Sequence, residues 1–306
     1  GKVIGVRTED NFYPADLVLL ATGVRPNTEL AKKAGLIVSP TTEGIVVNER
    51  MQTSDPDIYA GGDCVEIRHL ISGKGVVMPM GSLANRQGRV IATNIAGGNA
   101  VFEGTVGAFI LKCFDMAIGG CGLSLETAKS EGFKDATYAL NIQHERAHFF
   151  STGCSYYSLV FDKRTTKVLG FQAIGPFTDG TLARVHAISS ILPLKPTIEE
   201  IASLELPYSP PFNTALDPIH VTSFIAENII YERFKPIDWG TVIKRLKERD
   251  ESMLILDVRT PNELKDITER YPNWINIPYQ FARNKIKDLP KDKDLVVVCS
   301  VGARAY

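Results

Sequence analysis

The sequence predicts a multidomain protein that combines α/β and α+β architecture, and three features carry that expectation. In the first third, apolar runs closed by glycine alternate with a segment of helical period. Near Gly104 the texture changes to aromatic and β-branched alternation. After Pro236 an amphipathic helix face leads into two short apolar runs. Strands alternating with helices imply an α/β sheet, and runs of strands followed by helices imply α+β.

Taken in order, Gly1–Gly23 reads as strand, turn and strand, with Asp16–Gly23 an apolar run of the kind buried on both faces of a sheet. Further strands are expected at Gly44–Asn48 and Asp57–Asp63. A helix is expected over Ser82–Asn94, with Leu83, Val90 and Ile91 at helical spacing and Gly97-Gly98 as its stop. Strand alternation follows in Phe109–Ile118, Ala136–Gln143 and Tyr156–Ile174. Helices are expected over Thr181–Leu192, over Thr197–Leu204 and over Asp217–Phe234. The second of these opens with the capping box Thr197-Ile-Glu-Glu200. Pro236 marks a boundary. Trp239, Val242, Ile243 and Leu246 then form a helix face, followed by strands at Met253–Val258 and Leu295–Cys299 with a polar loop region between them.

Composition limits the function classes. The 306 residues carry 34 Lys+Arg against 35 Asp+Glu, so no basic footprint marks a nucleic-acid or anionic-membrane partner. The longest apolar stretch, Leu17–Val24, is far short of the roughly 20 residues of a membrane span. Five cysteines (Cys64, Cys113, Cys121, Cys154, Cys299) without C-x-x-C spacing suggest a reducing, cytoplasmic setting, most of them acting as small buried hydrophobes. The chain opens on Gly1 and stops in mid-pattern at Tyr306, which suggests a piece of a longer protein.

Three segments carry candidate chemistry. At Gly61-Gly62-Asp63 the missing Cβ atoms let a ligand approach backbone closely, and the carboxylate can accept from sugar or ribityl hydroxyls. On spacing alone a tight turn is the simpler reading. Cys299-Ser-Val-Gly-Ala-Arg304 enters a glycine-containing turn at a strand end, where inward N–H groups and Arg304 would hold a thiolate or persulfide. A buried structural cysteine is the alternative. Tyr208, within Leu206-Pro-Tyr-Ser-Pro-Pro-Phe212, offers a phenol donor, or simply a proline-flanked surface turn. His144-Glu-Arg-Ala-His148 fits the H-E-x-x-H zinc pattern, but it lies between strand-like segments rather than on a helix, so no metal is expected.

Ala21-Thr-Gly-Val-Arg-Pro-Asn27, Gly61-Gly-Asp63 and Asn85-Arg-Gln-Gly-Arg89 occur in the order and spacing of the pyridine nucleotide–disulfide oxidoreductases, which the chain resembles. That resemblance implies a Rossmann-like FAD/NAD(P)-binding fold. Residues 1–24 would end the NAD(P)H domain, 25–103 would complete the FAD domain, and 104–234 would form an α+β dimerisation domain making a homodimer. Thr22 and Gly23 would lie at the crossover between cofactor domains, Gly62 and Asp63 on the ribityl chain, and Gly81 and Ala84 beside the flavin ring. Within the family the likeness is to the coenzyme A–disulfide reductase branch, through the Tyr208 segment and Asp217-Pro218. There Tyr208 would reach the partner subunit's active site and help bind coenzyme A. A second tyrosine of that branch is matched by Phe149-Phe150-Ser-Thr-Gly153, which keeps the ring face and loses the hydroxyl.

Residues 235–306 resemble a truncated rhodanese domain, through Leu254–Leu264, Asn276-Ile-Pro278 and Cys299–Arg304, while Glu269–Ile275 departs from that family's pattern. The implied activity is reduction of a coenzyme A disulfide, persulfide or polysulfide with FAD and NAD(P)H. Cys299 would relay sulfane sulfur, and small thiols and persulfides would be the substrates. The redox cysteine and the FAD glycine loop would lie upstream of Gly1. The alternatives are an NADH oxidase and a non-catalytic redox-sensing or sulfur-carrier protein.

Overall fold

The computed structural model describes residues 1–147, 149–150, 153–177, 179–264 and 274–306. They fall into two compact units, the first formed by Gly1–Arg68 with Lys74–Gly104 and the second by His69–Gly73 with Thr105–Tyr306.

The first unit opens with a hairpin, β1 (Gly5–Arg7) and β2 (Phe12–Pro14), whose turn closes through the Thr8 N–H donating to the Asn11 carbonyl at 2.8 Å. The strand expected at Asp16–Gly23 is absent. Leu17, Leu19 and Leu20 are 86%, 84% and 83% exposed, because no described strand pairs with this run and nothing covers its faces. Helix α1 (Glu29–Lys33) leads to the three-stranded sheet β3 (Ile45–Val46), β4 (Val65–Arg68) and β5 (Gly75–Val76), in which β3 and β4 run parallel. The strand expected at Asp57–Asp63 is reduced to a single bridge, Tyr59 with Gln52. The ladder starts only at Val65, because Gly62 adopts a left-handed φ of +87° that breaks extended pairing. Helix α2 (Gly81–Ile95) matches its periodic pattern and packs Leu83, Val90 and Ile91 into a core with Ile45, Met51, Val65 and Ile67.

The second unit is built on a five-stranded antiparallel sheet. Its strands are β6 (Phe109–Cys113), β7 (Met116–Gly122), β8 (Ala136–His144), β9 (Cys154–Asp162) and β10 (Val168–Pro176), in the order β6-β7-β10-β9-β8. Two segments that alternate continuously in sequence are hairpins. Phe114, at φ +50°, turns β6 into β7, and the Asp162 carboxylate accepts from the Thr165 amide at 2.7 Å to turn β9 into β10. Tyr157, Leu159 and Phe161 share a buried face with Phe171 and Ala173 in register. Helix α3 (Leu125–Ser130) packs on β8. Helix α4 (Asp179–Ile191) covers β7 and β10 and brings Val185 and Ile188 to the core. Helix α5 (Ile198–Ala202) begins with the complete Thr197–Glu200 capping box. Helix α6 (Pro218–Ile230), capped by Asp217, lays Ile219, Ile225, Ala226 and Ile229 on β8 and β9.

Beyond Pro236, helix α7 (Trp239–Lys247) buries Val242 against a three-stranded parallel sheet, β12 (Ile275–Asn276), β11 (Met253–Asp257) and β13 (Asp294–Val298), in the order β12-β11-β13. The stretch expected to be polar loop contains β12 and helix α8 (Tyr279–Lys285) among its described residues. Most of the departure at Glu269–Ile275 lies outside the described residues. Cys121 is the one fully buried cysteine, and burial pushes its thiol up to about 12. Cys64, Cys154 and Cys299 are half-buried and Cys113 is exposed, which corrects the expectation that most are buried. Among the described residues no helix is long and apolar enough to cross a membrane.

Candidate functional site

In the first unit the Gly61–Asp63 turn is held by α2. The Gln87 side-chain carbonyl accepts the Gly62 N–H at 2.6 Å, and a Cβ on Gly61 would stand 2.9 Å from Ile91. Left-handed Gly62 has only Ala84 near the place of a Cβ, at 3.7 Å, and Gly81 heads α2 with open space in that place. Asp63 is exposed and Ala84 half-buried. Asp63 therefore sits before β4, not at the carboxyl end of a strand. The edge left bare of Cβ atoms next to an exposed carboxylate fits a flat ring with a hydroxylated chain. Thr22 and Gly23 are exposed on the uncovered stretch, outside any strand among the described residues.

The second unit holds two constellations. In the first, Tyr208 is 52% exposed on the proline-rich loop before α6. Asn213, buried, donates its side-chain amide to the Pro207 carbonyl at 2.8 Å and accepts the Ser209 N–H at 3.3 Å. Below it the Asp217 carboxylate caps α6 through the Ile219 N–H at 2.9 Å and takes the Arg184 guanidinium, also at 2.9 Å. Arg184 donates further to the Glu145 carbonyl at 3.1 Å. The Ala147 N–H reaches the Pro210 carbonyl at 3.3 Å, so the Phe149-Phe150 turn is tied to the Tyr208 loop. Both phenylalanines are exposed, their ring centroids 4.8 Å apart. A cavity of about 830 Å³ opens between α4 and this loop, with Arg146, His186, Leu206 and Phe212 among its walls.

The H-E-x-x-H pattern begins on a strand. His144 ends β8 opposite Cys154, Glu145 is buried and accepts the Ser155 hydroxyl at 2.9 Å, and residues 145–147 are not helical. His148 lies outside the described residues. Among the described residues no group of three or more His, Cys, Asp or Glu is placed to hold a metal.

The second constellation gathers at the carboxyl ends of β11 and β13. Cys299 follows β13, and the N–H of Gly302, at a left-handed φ of +88°, donates to its Sγ at 3.1 Å. Asp257, buried, pairs with Arg259. Asn276 donates to the Asp257 and Arg259 carbonyls, each at 2.9 Å, which fixes that turn. Arg304 does not lie loose in the turn. It forks onto Glu263 at 2.9 and 2.6 Å, with the Cys299 sulfur a lesser neighbour, and this pairing holds the Glu263 carboxyl well below the usual range. Among the described residues one backbone N–H, that of Gly302, reaches the sulfur, where several were expected. A cavity of about 420 Å³ lies beside the thiol, walled by Trp239, Trp274 and Arg259.

Sequence reasoning missed Glu263, although Thr260-Pro-Asn-Glu263 carries the capping-box signature and both the amide and hydroxyl of Thr260 bond that carboxylate. It missed the pairing of Arg184 with Asp217, for which no local signal exists.

The pyridine nucleotide-disulphide oxidoreductase family matches residues 2–88, and its dimerisation domain matches residues 109–218. The chain is 36% identical over 221 residues to a CoA-dependent NAD(P)H sulfur oxidoreductase of Pyrococcus furiosus, covering 72% of this chain and 49% of that protein. It is 37% identical over 224 residues to an NADH oxidase of Methanocaldococcus jannaschii, covering 72% and 48%. The chain thus spans about half the length of the curated relatives it matches. Among solved structures it is similar to an NAD-dependent persulfide reductase from A. fulgidus, at 37% identity and a TM-score of 0.86, covering 96% of this chain and 52% of that one. It is also similar to the reduced CoADR-RHD of Bacillus anthracis, at 31% identity and a TM-score of 0.87, covering 99% and 53%. With two matched segments that together make up well over half of its residues, the chain belongs to the pyridine nucleotide–disulphide oxidoreductases.

Proposed function

We propose that the complete protein is a cytoplasmic, homodimeric NAD(P)H oxidoreductase that reduces a coenzyme A disulfide, persulfide or polysulfide, and that residues 235–306 are a rhodanese-like unit serving it with sulfane sulfur. For a persulfide the balance is one NAD(P)H and one proton consumed per S–S bond cleaved, giving coenzyme A thiol and hydrogen sulfide. FAD, when bound, supplies the transfer of two electrons from the nicotinamide to sulfur. Gly62, Asp63, Gly81 and Ala84 would line its ribityl chain and ring, with Thr22 and Gly23 at the crossover from residues 1–24 to the FAD domain of 25–103. Residues 104–234 would form the dimer contact and present Tyr208 to the partner's active site, where the phenol donates to a bound coenzyme A thiolate or persulfide.

The observation that carries the reading is Tyr208 itself: an exposed phenol on a loop whose backbone is tied down by buried Asn213. Cys299 would carry sulfane sulfur as a persulfide, its Sγ held by the Gly302 N–H, with Arg304 keeping the turn closed. An NADH oxidase is the second reading, favoured by Phe149 and Phe150, which bring no hydroxyl to the neighbourhood of Tyr208.

The test is consumption of NADH and NADPH by the complete chain without oxygen, with and without coenzyme A persulfide. Turnover that depends on the persulfide is expected, and turnover only after air is admitted would move the protein to the oxidases. Cys299→Ala should abolish thiocyanate formation from thiosulfate and cyanide, and full retention of that transfer would remove the rhodanese assignment.

A further inference from the structure

The proposed coenzyme A contact stands on a loop that contains three prolines and no regular structure, so something else must fix the phenol. Prolines limit φ but leave the loop free to swing as a unit about its ends. The geometry points to a buried polar clamp, Asn213 seated against Asp217 and Arg184, as the positioning device that presets Tyr208 for the bound thiol.

Asn213 lies within the same loop and binds it across its own turn. Its amide spans from the Pro207 carbonyl on one side of Tyr208 to the Ser209 N–H on the other, at 2.8 and 3.3 Å. Both backbone neighbours of the tyrosine are therefore held by one side chain. That side chain reaches the Asp217 carboxylate at 3.5 Å, and Asp217 is fixed at the head of α6 by its capping bond and by Arg184. Arg184, Asp217 and Asn213 are all nine-tenths or more buried, so these bonds form away from competing water. Arg184 extends the clamp to the facing segment through the Glu145 carbonyl, and the Ala147–Pro210 bond closes the bridge between the two. One arginine on α4 thus ties together the Tyr208 loop and the base of the Phe149-Phe150 turn. The consequence is specific: although Asn213 also borders the cavity beside the loop, a clamp acts on turnover through the Tyr208 hydroxyl. This inference rests on the reading of Tyr208 as the coenzyme A contact.

The test is a double-mutant cycle in the complete, FAD-loaded chain, with kcat and KM for coenzyme A persulfide measured anaerobically. Tyr208→Phe should lower kcat/KM about ten- to a hundredfold, the worth of one hydrogen bond to a charged group. Asn213→Ala should lower it about tenfold, as expected for a misplaced reacting partner. The double variant should fall within about twofold of Tyr208→Phe alone, because a clamp has nothing left to position once the hydroxyl is gone. Effects that multiply, or an Asn213→Ala enzyme with wild-type kcat/KM, would overturn the clamp. A silent Tyr208→Phe would instead overturn the tyrosine's role. The clamp is then judged by the fluorine resonance of 3-fluorotyrosine at position 208, expected to be single and narrow in the wild type and broadened or shifted in Asn213→Ala; an unchanged resonance refutes it. Should Asn213→Ala not fold, Asn213→Ser repeats the cycle. Hydrogen exchange of the Ser209 amide in the wild type supplies a further check, and exchange at the rate of an open loop would count against the proposal.

Discussion

Replacing Asp217 by alanine is the sharpest perturbation of the second unit. The carboxylate makes two bonds of 2.9 Å, one to the Arg184 guanidinium and one to the Ile219 amide at the head of α6. Its side chain is 8% exposed and that of Arg184 is 4% exposed, so solvent cannot replace what is lost. Removing one partner of a buried pair strands the other charge, at a cost of about 3–5 kcal/mol. The helix also loses its cap, about 1 kcal/mol more. Asp217→Ala should therefore destabilise this unit by about 4–6 kcal/mol. Asp217→Asn keeps an oxygen for the Ile219 amide and should be milder by about 1 kcal/mol. Arg184→Met in the Asp217→Asn background removes the stranded charge and should recover at least half of the loss. The assay is urea unfolding of the complete chain, followed by hydrogen exchange in β9 peptides so that this unit alone is read. Asp217→Ala within about 1 kcal/mol of wild type would refute the reasoning, since it would mean that the guanidinium finds water or another acceptor.

Two further predictions concern local packing and pH. A Cβ on Gly170 would lie 2.2 Å from the Leu123 carbonyl oxygen and 2.6 Å from its nitrogen, both backbone, so Gly170→Ala should cost about 3 kcal/mol. Gly88, exposed in the interior of α2 with nothing within 4 Å of a Cβ, should instead gain about 0.5–1 kcal/mol as alanine; thermal unfolding of the two variants checks the opposite signs. His69 is buried, burial pushes its imidazole below the ordinary 6.5, and its Nδ1 accepts the Ser72 amide at 3.3 Å. The unfolded chain therefore takes up a proton that the folded chain resists. The stability this group contributes is intact above the ordinary histidine value and is lost as pH falls through the lowered one. Urea midpoints between about pH 7.5 and 5.5 should fall less steeply for His69→Gln than for wild type, and equal slopes would count against the assignment.

What the sequence disclosed depended on how local the signal is. The Thr197–Glu200 capping box and the α2 stop at left-handed Gly97 are set by residues within a few positions of one another, and each appears in the fold, whereas of the expected α7 face Val242 and Leu246 pack inward and Trp239 and Ile243 are exposed. Leu17–Leu20 shows the limit. Apolarity states that a run needs covering, but a strand exists only where another strand supplies the ladder, and the described chain supplies none. The β6–β7 turn escaped because Phe114 takes a left-handed φ without the Gly or Asn that normally announces one. For the candidate sites, the features local in sequence were legible: a tyrosine between prolines, a cysteine before a glycine turn. Their supports were not, since Arg184 meets Asp217 across 33 positions and Arg304 meets Glu263 across 41.

Those supports share a logic that bears on the proposed sulfur chemistry. At both candidate sites an arginine stands close by and is already committed to a carboxylate, Arg184 to Asp217 and Arg304 to Glu263. Beside them a neutral donor is offered to the proposed sulfur, the Tyr208 phenol in one case and the Gly302 N–H in the other, with Arg304 keeping the Cys299 sulfur as a lesser neighbour. A free guanidinium would bind a thiolate or persulfide with the strength of a charge-assisted pair and hold it. A neutral donor stabilises the anion by less, which suits a group that must be handed on at each turnover rather than retained. On this reading the two carboxylates do not merely satisfy arginines. At Cys299 the Glu263 carboxylate draws most of the Arg304 guanidinium away from the sulfur, and Glu263→Gln should make the Cys299 persulfide slower to surrender its sulfur to cyanide, even where its formation from thiosulfate is undiminished.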